Sequence, residues 1–299
     1  MLLCCMKTIK DVFLAFQQQL QTVYDSREIE AVALLVLEEL TGMSRTKIKA
    51  FPEADIPAEA AEKVESLLHE LKTGKPVQYI LGSTEFYGLH FLVNPATLIP
   101  RPETEELVEW VLGESKKFKI QNSKLSILDI GTGSGCIAIS LKKNLQHADV
   151  SAVDISPEAL KTAKQNAVIN DVHIAFIEQD ILTDDNSKIV NLQPDIIVSN
   201  PPYVTLADKL KMHTNVNDFE PHTALFVPDH DPLIFYKAIA SYAVEHISDD
   251  GLLFFEINEG YGKETVELLS DKGFTDIELR QDMSGRDRMV KATWLSRNP

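Results

Sequence analysis

Asn200-Pro201-Pro202-Tyr203 follows directly on Asp195-Ile196-Ile197-Val198-Ser199, an apolar run that reads as a buried strand. Two prolines in succession lack backbone N–H groups and fix φ, so the chain leaves the sheet at Asn200 in a stiff, extended loop. Such a loop holds an amide side chain, free carbonyls and an aromatic face in one place. The chemistry it suits is the handling of a flat, polar, uncharged nitrogen group. The Asn200 oxygen and a proline carbonyl can each accept one N–H, while Tyr203 covers the face. Taken alone, the tetrapeptide is equally a strand-ending Asn-Pro turn. The rest of the chain decides between the two.

Upstream stands Asp129-Ile130-Gly131-Thr132-Gly133-Ser134-Gly135, at the end of a short apolar strand. Glycines there permit φ > 0 and let the backbone approach a ligand closely. A dinucleotide-binding turn would read G-x-G-x-x-G, but position 136 is Cys, so a ligand that needs no phosphate site fits better. The next strand ends in Asp154, roughly the 20 residues downstream expected of an acid that binds ribose hydroxyls. Ser156-Pro157 then cap and open a helix. After the third strand, Asp180 could accept from an adenine amino group and Ile181 could wall the base.

Elements able to hold these residues are legible in the apolar spacing. To about Lys75 the pattern is helical, with Arg27–Leu40 closed by Thr41-Gly42 and Ala58–Lys72 closed by Gly74. From Pro76 to Pro102 the chain is aromatic and β-branched. Tyr79–Gly82 and Phe86–Val93 look like a hairpin, and a helix is expected from about Glu103 to Glu114. From Ser126 onward strands and helices alternate, which predicts a doubly wound, mostly parallel sheet. The closing strand–turn–strand, Ile277–Arg280 and Met289–Trp294 around Ser284-Gly285, adds one antiparallel strand, expected at the edge. The organisation read from this is 1–75 as a helical domain, 76–102 as a hairpin linker and 103–299 as the α/β domain. Phe86, Tyr87 and Phe91 are expected to be core packing, with substrate docking as the alternative.

The chain has 299 residues, 44% hydrophobic and 25% charged, enough to bury a real core. A net charge of −16 repels phosphate backbones and counts against a nucleic-acid substrate. Cys4 and Cys5 are adjacent and Cys136 lies far away, so neither a disulfide framework nor a metal site is supported. Met1–Cys5 reads as an inessential extension, and no run approaches the ~20 apolar residues of a membrane span. A reduced, cytoplasmic protein without membrane contact is expected.

The glycine turn, Asp154 and Asn-Pro-Pro-Tyr together resemble the Rossmann-like class I methyltransferases that use S-adenosyl-L-methionine. Leu98–Glu105 (Leu-Ile-Pro-Arg-Pro-Glu-Thr-Glu), Glu220–Leu225 and Asp282–Arg288 narrow the likeness to the release factor glutamine methyltransferases. That resemblance covers almost the whole chain and implies an N-terminal helical domain that docks substrate. It implies S-adenosyl-L-methionine held by Gly131, Thr132, Gly133, Ser134, Gly135, Asp154, Asp180, Ile181 and Asn200. It further implies a substrate glutamine held by Asn200, Pro201, Pro202 and Tyr203, with Asn200, Pro201 and Tyr203 carrying the catalysis. The implied substrate is the Gly-Gly-Gln glutamine of class 1 peptide-chain release factors, with no direct nucleic-acid partner. Rival readings are glutamine methylation of a ribosomal protein, a DNA or RNA amino-methyltransferase, and a binding module that senses the cofactor. No catalytic His or Asp is assigned, and Glu220 and His222 are expected to be a surface acid and a solvated histidine. Two departures stand out: Ile181 occupies a position where some relatives carry an aromatic residue, and Met1–Cys5 match no family segment.

Overall fold

A computed structural model describes residues 6–118, 124–183, 187–209 and 214–295. The proposed extension Met1–Cys5 lies outside the described residues. Two units emerge: the described residues up to Gly82 together with the short helix Thr214–Phe219, and the remainder. The division at Gly82 falls within the stretch 76–102 read as a linker.

The smaller unit is all helix. Ile9–Leu20 opens with a reciprocal capping box, in which the Thr8 side chain accepts from Asp11 N–H and Asp11 accepts from Thr8 N–H. The sequence reading passed over this helix, although Ile9, Val12, Phe16 and Leu20 form its buried stripe. Ser26–Thr41 begins at Asp25, whose carboxylate accepts from two backbone N–H groups, and ends at Gly42 in the left-handed region. With Ala58–Leu71, these helices bury Phe16, Ile29, Val36, Leu37, Val64 and Leu68 in one core. Among the described residues, no helix is long and apolar enough to cross a membrane.

The larger unit starts with a hairpin, Ser83–Phe86 against Leu89–Leu92. Here the sequence reading needs correction, because Tyr79–Leu81 is helical (Val77–Leu81) and not strand. Pro76 precedes that turn and Gly82, at φ +76°, ends it, so the strand begins only at Ser83. Tyr87 and Gly88 both take positive φ, as a two-residue type I′ turn requires.

Seven strands make the main sheet: β1 Ser126–Ile130, β2 Asp149–Asp154, β3 Ala175–Glu178, β4 Ile196–Ser199, β5 Gly251–Glu256, β6 Thr275–Gln281 and β7 Asp287–Trp294. Their order is β6-β7-β5-β4-β1-β2-β3. β1 pairs in parallel with β2 and β4, and β4 with β5. Both faces of these central strands are covered, so β4 and β5 are buried at every residue. Period-two alternation sends Ile127, Ile196, Val198 and Phe254 into one core, and Leu128, Ile197, Leu253 and Phe255 into the other.

The antiparallel strand is present but not at the edge. β7 runs antiparallel between β5 and β6, which puts β6 outermost. β6 leaves β5 through the crossover helix Gly262–Asp271 and therefore lies parallel to it. The tight turn after Gln281 then folds β7 back into the gap.

Candidate active site

Strand β1 ends in a turn that only glycine fits cheaply. Gly131, Gly133 and Gly135 have φ of +75°, +54° and +82°. Gly131 and Thr132 donate backbone N–H bonds of 2.8 and 2.9 Å to the Val153 carbonyl, which fastens the turn to β2. A Cβ at Gly131 or Gly133 would meet nothing within 4 Å, so their backbone stays open to close approach. Gly135 differs. A Cβ there would lie 2.9 Å from Ile139 Cδ1 and 3.2 Å from Ala163 Cβ, so this glycine serves helix packing.

Asp154 ends β2 and closes the turn from the other side. One carboxylate oxygen accepts from Gly133 N–H at 2.8 Å and the other from Ser156 N–H at 2.9 Å. Each oxygen keeps a further lone pair. Burial raises its pKa, against the pull of the backbone donors. Past β3, Asp180 accepts from Leu182 N–H at 2.9 Å and leaves its second oxygen unengaged by that bond, beside half-buried Ile181.

Asp129, within β1 just before the turn, is a residue to which the sequence reading gave no role of its own. It is fully buried; one oxygen accepts from Thr132 Oγ1 at 2.6 Å and Ala138 N–H at 3.2 Å, while Oδ1 has no partner. Its signal was an acid inside an otherwise apolar strand. Burial pushes the carboxyl up to about 7, although both donors oppose this. An acid raised on folding keeps its proton in the folded state over a range where the unfolded chain has lost it, so stability falls as pH rises. Relative to Asp129→Asn, the wild-type protein is expected to lose stability from about pH 4 to pH 7, by at most about 4 kcal/mol, and then hold level. Urea titrations of both proteins across that range check this, and parallel curves would show that folding leaves the carboxyl unperturbed.

Asn200, Pro201 and Pro202 emerge from β4 onto the same cavity as Gly131–Ser134, Asp154, Asp180 and Ile181, a space of about 400 Å³. Gly135 and Tyr203 do not line it. Tyr203 packs against the core and donates its hydroxyl to Glu256 at 3.2 Å, leaving part of the residue exposed. The Asn200 side-chain N–H donates to Thr104 Oγ1 at 3.2 Å. The cavity walls are largely apolar, and Arg101 is the single basic residue among the described lining. Arg101 is itself paired with Glu220 at 2.5 Å. A ligand with several phosphates would find no free cation here. A nucleoside with a diol for Asp154 and a positively charged tail fits the donor and acceptor set, and S-adenosyl-L-methionine has that chemistry.

The same pair corrects the reading of Glu220 as a surface acid. It is buried, accepting from Ile99 N–H as well as Arg101, and so ties together two segments distant in sequence. His222 is exposed as expected, edge-on to Phe226. Phe86 and Phe91 are core, in an edge contact 6.0 Å between centroids. Tyr87 is half-buried, with its hydroxyl on Glu109 and its N–H on Glu105. Thr104, which lines the cavity, and Glu256, which accepts its hydroxyl, were missed. Thr104 sits in a recognised segment, but nothing local marks its role.

Comparison with known proteins finds relatives along nearly the whole chain. Residues 116–217 match the methyltransferase small domain and residues 11–82 the PrmC N-terminal domain. The release factor glutamine methyltransferase of Flavobacterium psychrophilum is 48% identical over 286 residues, covering 96% of this chain and 99% of the relative. Its counterpart in Bacteroides thetaiotaomicron is 41% identical, covering 92% and 96%. That of Lactococcus lactis is 41% identical, covering 85% and 89%.

Proposed function

The chain belongs to the release factor glutamine methyltransferase family, and from that premise we propose that it methylates N5 of the glutamine in the Gly-Gly-Gln motif of class 1 peptide-chain release factors. The observation that carries this reading is that Asn200 and Pro201 line the same cavity as the glycine turn and Asp154. S-adenosyl-L-methionine, when bound, supplies an electrophilic methyl group on a sulfonium. The open backbone of Gly131–Ser134 would admit the cofactor closely, Asp154 would hold its ribose hydroxyls, and Asp180 with Ile181 would hold the adenine.

The side chains at β4 act on the substrate. An amide nitrogen is a poor nucleophile because its lone pair is delocalised into the carbonyl. Asn200 Oδ1 and the Pro201 carbonyl each accept one N–H of that amide, which raises electron density on nitrogen and fixes its direction. Orientation of this kind supplies several kcal/mol, on the order of 7–11 in the best cases. Tyr203, which does not line the cavity, acts on the loop through its hydroxyl bond to Glu256. No strong base is needed, since the methylated amide releases its extra proton to solvent. The helical unit would dock the release factor, and a release-factor substrate supports a cytoplasmic reaction.

Purified release factor incubated with this protein and S-adenosyl-L-methionine should gain one methyl on the Gly-Gly-Gln glutamine, read by peptide mapping in the mass spectrometer. Absence of that methyl on folded release factor would overturn the substrate. Transfer to a ribosomal protein or to nucleic acid in parallel assays would then name the replacement.

A further inference from the structure

For Asn200 to accept an N–H, its oxygen and not its NH₂ must face the substrate. An amide has two orientations of nearly equal shape, so something must choose between them. Asn200 is the first residue beyond β4, and its NH₂ donates to Thr104 Oγ1 at 3.2 Å. Thr104 lies in the first turn of helix Pro102–Ser115, buried to 2% exposure. Its own hydroxyl proton is already committed, to Glu256 Oε2 at 2.7 Å. A hydroxyl has one proton, so the Thr104 oxygen can only accept from Asn200.

Glu256, at the end of β5, sets the direction of this chain. It is 1% exposed, and its other oxygen accepts from Tyr203. Burial raises its pKa, while Thr104, the Arg288 charge and Tyr203 lower it. Its two oxygens each accept one hydroxyl, from Thr104 and from Tyr203, so both hydroxyls point toward it.

Resting on the glutamine-amide reading above, we propose that Glu256 and Thr104 are positioning residues: the buried carboxylate polarises the Thr104 hydroxyl, which holds the Asn200 amide with Oδ1 toward the substrate nitrogen. The relay works through one proton. Removing the Thr104 hydroxyl leaves the Asn200 NH₂ unsatisfied in the productive orientation, a cost met by turning the amide away until the transition state demands its return.

Thr104→Val keeps shape and removes the hydroxyl, while Thr104→Ser restores it. With release factor as substrate, Thr104→Val is expected to lower kcat on the order of 10-fold to 100-fold. KM for the large protein substrate and the Kd for S-adenosyl-L-methionine by calorimetry should stay within about threefold. Thr104→Ser should recover most of kcat. A Thr104→Val kcat within about twofold of wild type overturns the inference. So does a matching loss of cofactor affinity, which would mean that Thr104 only shapes the cavity. Should Thr104→Val fail to fold, Glu256→Gln carries the same readout, because its amide can donate and so releases the fixed polarity. Asn200→Ala runs alongside: full activity there would remove the underlying reading, whereas a dead Asn200→Ala with an active Thr104→Val removes only the relay.

Discussion

Asn200→Ala is expected to lower kcat for transfer to a release factor by about 10³-fold or more, with thermal stability close to wild type. Two losses combine. The acceptor that activates the amide nitrogen disappears, and loss of one preorganised polar contact of this kind costs about 10²–10³ in rate. The amide also loses one of its two anchors, so it samples orientations that do not aim nitrogen at the methyl carbon. The fold should tolerate the change because Asn200 is partly exposed and its side chain bonds Thr104, which keeps Glu256 as partner. Single-turnover rates at saturating cofactor isolate the chemical step, and a loss below tenfold would remove Asn200 from the centre of the mechanism.

A comparable loss, in binding rather than rate, is expected at Asp154. Asp154→Ala should weaken S-adenosyl-L-methionine by about 10²-fold, as hydrogen bonds to a charged acceptor contribute about 1.5–3 kcal/mol each. The same carboxylate also satisfies the N–H groups of Gly133 and Ser156, so its removal loosens the glycine turn that faces the ligand. Asp154→Asn is a sharper test. Only one of its two terminal atoms accepts, so the amide must turn an NH₂ toward Gly133 N–H or Ser156 N–H. It should therefore bind little better than the alanine variant. Calorimetric titration with S-adenosyl-L-methionine gives both values, and affinities within threefold of wild type would show that the ribose is held elsewhere.

Much of this site was legible because its determinants are local. Gly131, Gly133 and Gly135 announce a turn of positive φ, and all three have it. Ser156-Pro157 announces a helix start, and the Ser156 hydroxyl does accept from Ala159 N–H. Asn200-Pro201-Pro202 announces a chain leaving a strand, which it does directly after Ser199. Where local signals competed, the sequence misled. Tyr79–Leu81 is β-branched and aromatic enough to suggest a strand, yet Pro76 and Gly82 enclose too short a stretch for anything but one helical turn.

The amino-acid sequence by itself determined the strand runs, the glycine turn, the caps and the stiff exit at Asn200, since each depends on backbone sterics and hydrogen bonds among near neighbours. It also marked the central strands as continuous apolar runs, and β4 and β5 are buried on both faces. Only the tertiary structure decided which partner each side chain meets. Glu220 is buried because Arg101, 119 positions earlier, lies against it. β7 enters between β5 and β6 because strand alternation specifies a face and leaves the neighbour open. Asn200 acquires a direction from Thr104, 96 positions away, and Thr104 from Glu256, 152 positions beyond it. Periodicity encodes burial, whereas the polarity of a buried hydrogen bond is fixed by whichever donors and acceptors the fold brings within reach.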